Sequence, residues 1–294
     1  MNGPSAGAGP GGARRGPAAE AGARSTGRGS VTAPGARGTR RGPVAGGVTS
    51  GARHVLAVVH DPGAEAAVVD AAGAVATLLG ADVRAFRLAA ESGAGETVAA
   101  VLHELERPDV LAGVLAGDGG DRSGTWAVVR RAGKPVVLLP PRRPVAAPPV
   151  AGPVAGPVAA RKAISRVLLP LDGSAEAAAA VTGAAGLFAR TGADLVVLHV
   201  FDEATVPRFW DQAAHERRAW EEEFLARHCA HPGVRMELRS GVAGEQVVDV
   251  AATEHVDLIA LGWSQRAEAG RARTVRRTVA GAGVPVMLIP VPRP

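Results

Sequence analysis

Apolar residues in this chain fall into two alternating patterns. Short unbroken runs rich in valine and leucine, RVLLPL at 166–171 and DLVVLHV at 194–200, read as strands buried on both faces, which implies a parallel sheet with helices on each side. Residues 174–191 between them read as a helix. Ser174 is placed to cap it, Glu176 suits its first turn and Gly192 ends it. A longer helical stretch follows near 206–229, with Trp210, Ala213, Trp220 and Phe224 on one stripe, where packing explains the tryptophans. VRMELRS (234–240) alternates like a strand, 245–255 is helical, VDLIALG (256–262) is a strand, 274–283 a short helix and VPVMLIP (284–290) a last strand. The succession βαβαβαβαβ predicts a doubly wound α/β unit.

The same pattern occurs earlier in the chain, in the same order. DPGAEAA (61–67) echoes DGSAEAA (172–178), and LLGADV (78–83) echoes RTGADL (190–195). GETVAAV (95–101) echoes GEQVVDV (244–250), and DVLAGVLAG (109–117) echoes VDLIALG. AGKPVVLLP (132–140) echoes AGVPVMLIP (282–290). This is a tandem duplication. From the aligned aspartates, 61 and 172, to the aligned glycines, 95 and 244, the first copy spans 34 residues and the second 72. The first copy therefore lacks about 38 residues, one helix and one strand, and is expected to be a truncated, four-stranded version of the second.

Two stretches carry no periodicity. Residues 1–50 are Gly, Ala, Pro, Arg and Ser, with too little apolar surface to offset ordering entropy, and are expected to be disordered. The proline-dense 142–162 segment reads as a linker between the repeats at 51–141 and 163–294. Charge follows the same division. The tail holds seven arginines against one glutamate, so the net +5 of the 294 residues belongs to it and the remainder is nearly balanced. The basic pI is thus no argument for a nucleic-acid-binding fold. A single cysteine, Cys229, excludes an intrachain disulfide and a Cys-rich zinc site and fits a reducing compartment. His228 and His231 beside it suit a helix C-terminus better than a metal site. There is no unbroken 18-residue apolar run, and the Arg14-Arg15 and Arg40-Arg41 pairs have no apolar segment behind them. No membrane partner is expected, and the chain is read as cytoplasmic.

The motifs VLLPLDGSAEAA, VVLHVFDE, GVAGEQVVDVAATEHVDLIALG and VPVMLIPV resemble the universal stress protein family, in its tandem form. The resemblance runs nearly end to end over 163–294 and more loosely over 53–141. It implies the adenine nucleotide alpha hydrolase-like arrangement, a parallel sheet in the order 3-2-1-4-5, and dimerisation, often through the last strand. The two halves are then expected to dock as an internal pseudo-dimer, and the chain to have the means for a homodimer. Nucleotide-binding members carry G-x-x-G-x9-G-[ST] after strand four, an acidic residue ending the first strand and a small aliphatic residue ending the second. The positions matching these are Asp172 (acidic), Val200 (aliphatic), Gly262 (first glycine) and Thr274. Gln265 and Arg273 stand in place of the pattern's second and third glycines, with a spacer of seven residues instead of nine. In the first half the matching residues are Asp61, Gly117, Gly120, Gly124 and Thr125, with a spacer of three residues instead of nine. That loop is too short to wrap a triphosphate, and the strand with its aliphatic contact is expected to fall in the deletion.

A phosphate cradle needs bare backbone N–H groups and φ > 0, which glycine supplies. Arginine at 273 would strain such a backbone, and Trp263 is large enough to crowd the site. Against this, Arg266, Arg271, Arg273, Arg276 and Arg277 lie within twelve residues, opposed by Glu268 alone. With Thr274 as the expected helix cap and Arg276 and Arg277 in the first turn, a bound anion would gain from both dipole and guanidinium groups. A solvated basic loop is the plainer reading. Asp172, Asp61, Thr274 and Thr125 can likewise be helix caps with no ligand. No nucleophile elbow, Walker lysine motif or paired metal carboxylates are present, so no enzymatic activity is expected. The leading reading is a regulatory stress-response module acting on an unidentified protein partner, with nucleotide binding weak or absent. An ATP-binding switch in the second half is the alternative, and a nucleotide hydrolase the least favoured.

Overall fold

Runs that are apolar on both faces become the strands of a single sheet. The computed structural model describes residues 52–88, 93–117, 124–141, 163–202, 214–265 and 271–291. The expected tail and linker, the helical stripe at Trp210 and Ala213, and Gly120, Arg266 and Glu268 lie outside them. The first half supplies β1 (His54–Val59), a 3-10 turn (Pro62–Ala64), α1 (Glu65–Leu79), β2 (Asp82–Arg87), α2 (Ala94–Leu105), β3 (Val110–Ala116), α3 (Gly124–Val129) and β4 (Val136–Leu139). The second supplies β5 (Arg166–Pro170), α4 (Ala175–Arg190), β6 (Asp194–Phe201), α5 (Ala214–His228), β7 (Arg235–Ser240), α6 (Ala243–Thr253), β8 (Leu258–Trp263), α7 (Arg271–Gly281) and β9 (Val286–Pro290).

The strand order is β2-β1-β3-β4-β9-β8-β5-β6-β7. Every neighbouring pair is parallel except β4 and β9, which join the halves antiparallel with Val136 opposite Leu288, Val137 opposite Met287 and Leu138 opposite Val286. The second half thus has the order 3-2-1-4-5. The first has 2-1-3-4 and lacks counterparts of α5 and β7. Pairing β4 with β9 removes two apolar edges at once, and Val137 and Met287 at the junction are buried. Of the two edges that remain, β7 turns Arg235, Glu237 and Arg239 toward the α6 face. There Glu254 accepts from Arg235 at 2.9 Å, and the charged row discourages further strand addition.

Helices cover both faces across both halves. One layer holds α1, α4 and α5 (Val68, Val75, Val181, Phe188, Phe224), and the other α2, α3, α6 and α7 (Val101, Trp126, Val250, Val275). The helical stretch Pro62–Leu79 is long and apolar enough to cross a membrane by length and composition alone, yet Val68, Ala72, Val75 and Leu78 pack it onto the sheet as a core helix. The start of β5 is pinned by Asp257, nine-tenths buried, whose Oδ2 accepts from Ser165 N, Ser165 Oγ and Arg166 N at 2.9, 2.7 and 3.1 Å.

Candidate functional site

Parallel sheets of this kind open a crevice at the carboxyl ends of their strands, where the strand order reverses. Here that point lies between β5 and β8, and one residue widens it. The two strands pair only at Val167–Leu258 and Leu168–Ile259. Leu171 N turns the other way, to Leu198 O of β6, so alternation aims the nitrogen of Pro170 at β8, where it has no hydrogen to donate. The ladder stops and the strands diverge. In the first half Val59 stands in place of Pro170, and β1 stays registered with β3 as far as Val58–Leu115. Pro170 was open to a sequence reading, as a proline in a central strand, and was missed.

The crevice is a cleft of about 100 Å³ with apolar walls from Leu171, Leu198, Val200, Val247, Leu261 and Val275, and polar groups from Asp172, Ser264 and Thr274. Asp172, Val200, Gly262 and Thr274, four positions singled out by sequence, therefore meet at one cleft. Its volume is below the roughly 300–1,000 Å³ of sites that enclose a whole small ligand, so a larger ligand would extend out of its mouth. Asp172 is not the helix cap. Its Oδ1 accepts from Ser174 N at 3.0 Å, while Ser174 Oγ accepts from Ala177 N at 3.2 Å and caps α4. A Cβ on Gly262 would lie 3.4 Å from Ala177 Cα, ordinary contact, so protein packing alone does not demand glycine there.

The basic loop departs from expectation in three ways. First, α7 begins at Arg271, so Thr274 lies within the helix and is not its N-cap. Arg273 consequently has ordinary helical φ and avoids the expected left-handed strain, and Arg276 and Arg277 fall in the second turn. Second, the three arginines whose side chains are described do not converge on the cleft. Arg273 is exposed, neither it nor Arg276 is among the lining residues, and Arg277 is paired with Glu245 of α6. Third, Trp263 does not crowd the site. Strand alternation turns it away from the Gly262 side into the core, where it meets Trp126 of α3 edge-on at 6.2 Å. Gln265, by contrast, keeps the glycine-type backbone of the position it occupies, with φ of +61°, and its Nε2 donates to Ala132 O of the first half.

Behind Asp172, on the opposite face of β6 from Val200, His199 was not singled out by the sequence. Its ring contacts Phe201, Trp220 and Phe224 at 4.6, 5.3 and 4.9 Å, and its Nδ1 bonds Leu171 O at 2.8 Å. Burial holds its pKa below the ordinary 6.5, against the opposing pull of that hydrogen bond and of Asp172. Burial likewise raises the pKa of Cys229. Among the described residues no cluster of three or more His, Cys, Asp or Glu could hold a metal.

The described matching residues of the first half serve internal contacts or open its last helix. Asp61 caps the 3-10 turn through Gly63 N, and Thr125, in the first turn of α3 and not at its cap, places Oγ1 3.5 Å from Ala116 O. Gly117 donates to Leu139 O, and a Cβ on it would come within 2.4 Å of that oxygen, so packing explains this glycine. Gly124 opens α3. The strand expected to be missing is present: Asp82 of β2 aligns with Asp194 of β6, so Leu88 occupies the place of Val200, and the deletion removed the next strand instead.

The universal stress protein family profile matches residues 163–290. None of the curated proteins matches the chain. Among solved structures, a candidate universal stress protein of Pseudomonas aeruginosa UCBPP-PA14 is 14% identical with a TM-score of 0.51, covering 82% of this chain and 94% of its own. A universal stress protein of Archaeoglobus fulgidus DSM 4304 is 15% identical with a TM-score of 0.49, over 82% and 87%. A family member from Burkholderia pseudomallei is 26% identical with a TM-score of 0.31, over 44% and 97%. The Pseudomonas likeness is one of fold, and its extent takes in both halves. Family match and cleft coincide in the same segment: it is residues 163–290 that carry the similarity to the universal stress protein family.

Proposed function

We propose that this chain is a non-catalytic, cytoplasmic regulatory protein whose second half takes the base and sugar of an adenine nucleotide weakly and passes its occupancy to a protein partner. The observation that carries this reading is the meeting of Asp172, Val200, Gly262 and Thr274 at a cleft whose glycine has no packing reason to be glycine. Apolar walls suit a heterocycle, and the carboxylate of Asp172 suits sugar hydroxyls. The phosphate end is the weak part. The pattern's third glycine has become part of a helix, and Arg277 is committed to Glu245. The described lining offers one titratable side chain, Asp172, so the reading includes no chemical step. Both edges of β9 are occupied, so a homodimer would have to use another surface.

Titrating AMP and ATP into the full chain by calorimetry tests this. The expected result is binding of both with affinities within about threefold of each other, since the described residues offer β- and γ-phosphates no cradle, and loss of both in Asp172→Ala. No heat at millimolar nucleotide refutes nucleotide binding. ATP binding at least a hundredfold tighter than AMP refutes the account of the phosphate end.

A further inference from the structure

Gln265 stands where a glycine is expected and keeps glycine's left-handed backbone, a conformation shared by only one other non-glycine among the described residues, His255. A glutamine held there needs something in return, because its Cβ disfavours that backbone. What it gains is visible on the other half. Ala132 is fully buried just past the end of α3, where helix-terminal carbonyls lack intrahelical partners. Its own N–H is used on Val128 O, and its carbonyl accepts from Gln265 Nε2. The repeat makes the substitution legible. Ala132 aligns with Ala282, and Gln265 with Gly120, so the reciprocal contact would have to come from a residue with no side chain. Two residues upstream, Trp263 meets Trp126 of the same α3, so the exit of β8 touches the first half twice.

The geometry points to Gln265 as a positioning residue, a latch that ties the exit of β8 to the first half and thereby holds Gly262, Ser264 and Thr274 in place around the cleft. The first half acts as the anchor. The latch is a property of the chain without ligand. Only its effect on affinity rests on the nucleotide reading above.

Two variants separate the latch from backbone strain. Gln265→Asn keeps a residue at ease in the left-handed region but is one methylene too short to reach Ala132 O, and Gln265→Gly removes both strain and side chain. Amide hydrogen exchange on the full chain without ligand should be roughly three- to tenfold faster in both variants at Gly262–Gln265, Arg271–Val275 and Ala132–Lys134, the range expected for loss of one net hydrogen bond. Exchange in β7 should stay unchanged. Unchanged or slower exchange at those three places overturns the latch, as does acceleration spread evenly over the chain. AMP affinity should fall by a similar factor in both variants. A wild type that binds no nucleotide refutes the nucleotide reading, while the exchange result still decides the latch.

Discussion

The repeat contains an internal control for packing. Gly95 and Gly244 occupy the same place in the two copies, second in α2 and second in α6, each followed by glutamate, and neither has positive φ. A Cβ on Gly95 meets nothing within 4 Å. A Cβ on Gly244 would lie 2.7 Å from Arg277 Cβ and 3.1 Å from Thr274 O of α7. Neither of those atoms is the tip of a flexible side chain, so α6 and α7 must move apart. Gly95→Ala should therefore stabilise by about 0.4–1 kcal/mol, because the unfolded chain loses freedom and the helix gains propensity. Gly244→Ala receives the same gain but incurs an overpacking cost of about 1–3 kcal/mol, for a net loss on the order of 1–2 kcal/mol. One sheet runs through both halves, so both changes should register on the same transition. Thermal melts should then move by roughly 2–4 °C per kcal/mol, upward for Gly95→Ala and downward for Gly244→Ala. Shifts of the same sign, or a stabilising Gly244→Ala, would refute the claim that the α6–α7 contact sets the glycine requirement.

Other expectations follow from single residues. Asp257→Ala leaves three donors at a nine-tenths buried position and should cost about 3–5 kcal/mol, while Asp257→Asn, which keeps one acceptor, should cost clearly less; urea midpoints compare them. Because burial keeps His199 neutral in the folded state below pH 6.5, the unfolded chain takes up its proton first. Its stabilising contribution is complete above that pH and is lost as pH falls toward the depressed folded value. His199→Phe should flatten the fall of the urea midpoint between about pH 7.5 and 5.5, and an unchanged slope would exclude His199 as its source. Gly262→Ala should leave the melting temperature within a few degrees of wild type, since its Cβ meets Ala177 at contact distance, yet weaken AMP binding at least about tenfold in calorimetry.

Periodicity and repetition determined the layered α/β architecture and the loss of one helix and one strand from the first copy, and the resemblance of the motifs to a known family supplied the four residues of the cleft. Each of these rests on local pattern: unbroken apolar runs make buried parallel strands, and a strand-to-helix junction puts its residues at the carboxyl rim. Tertiary structure decided the rest. The true start of α7 depends on how Ala272 and Val275 pack into the core, and this moved Thr274 off the cap and relieved Arg273 of strain. The inward turn of Trp263 depends on Trp126, 137 positions earlier in the chain. Whether a glycine serves a ligand or a neighbour, as at Gly262 against Gly117, depends on which atom stands opposite its missing Cβ. That is set by contacts between segments far apart in sequence, which no local pattern encodes.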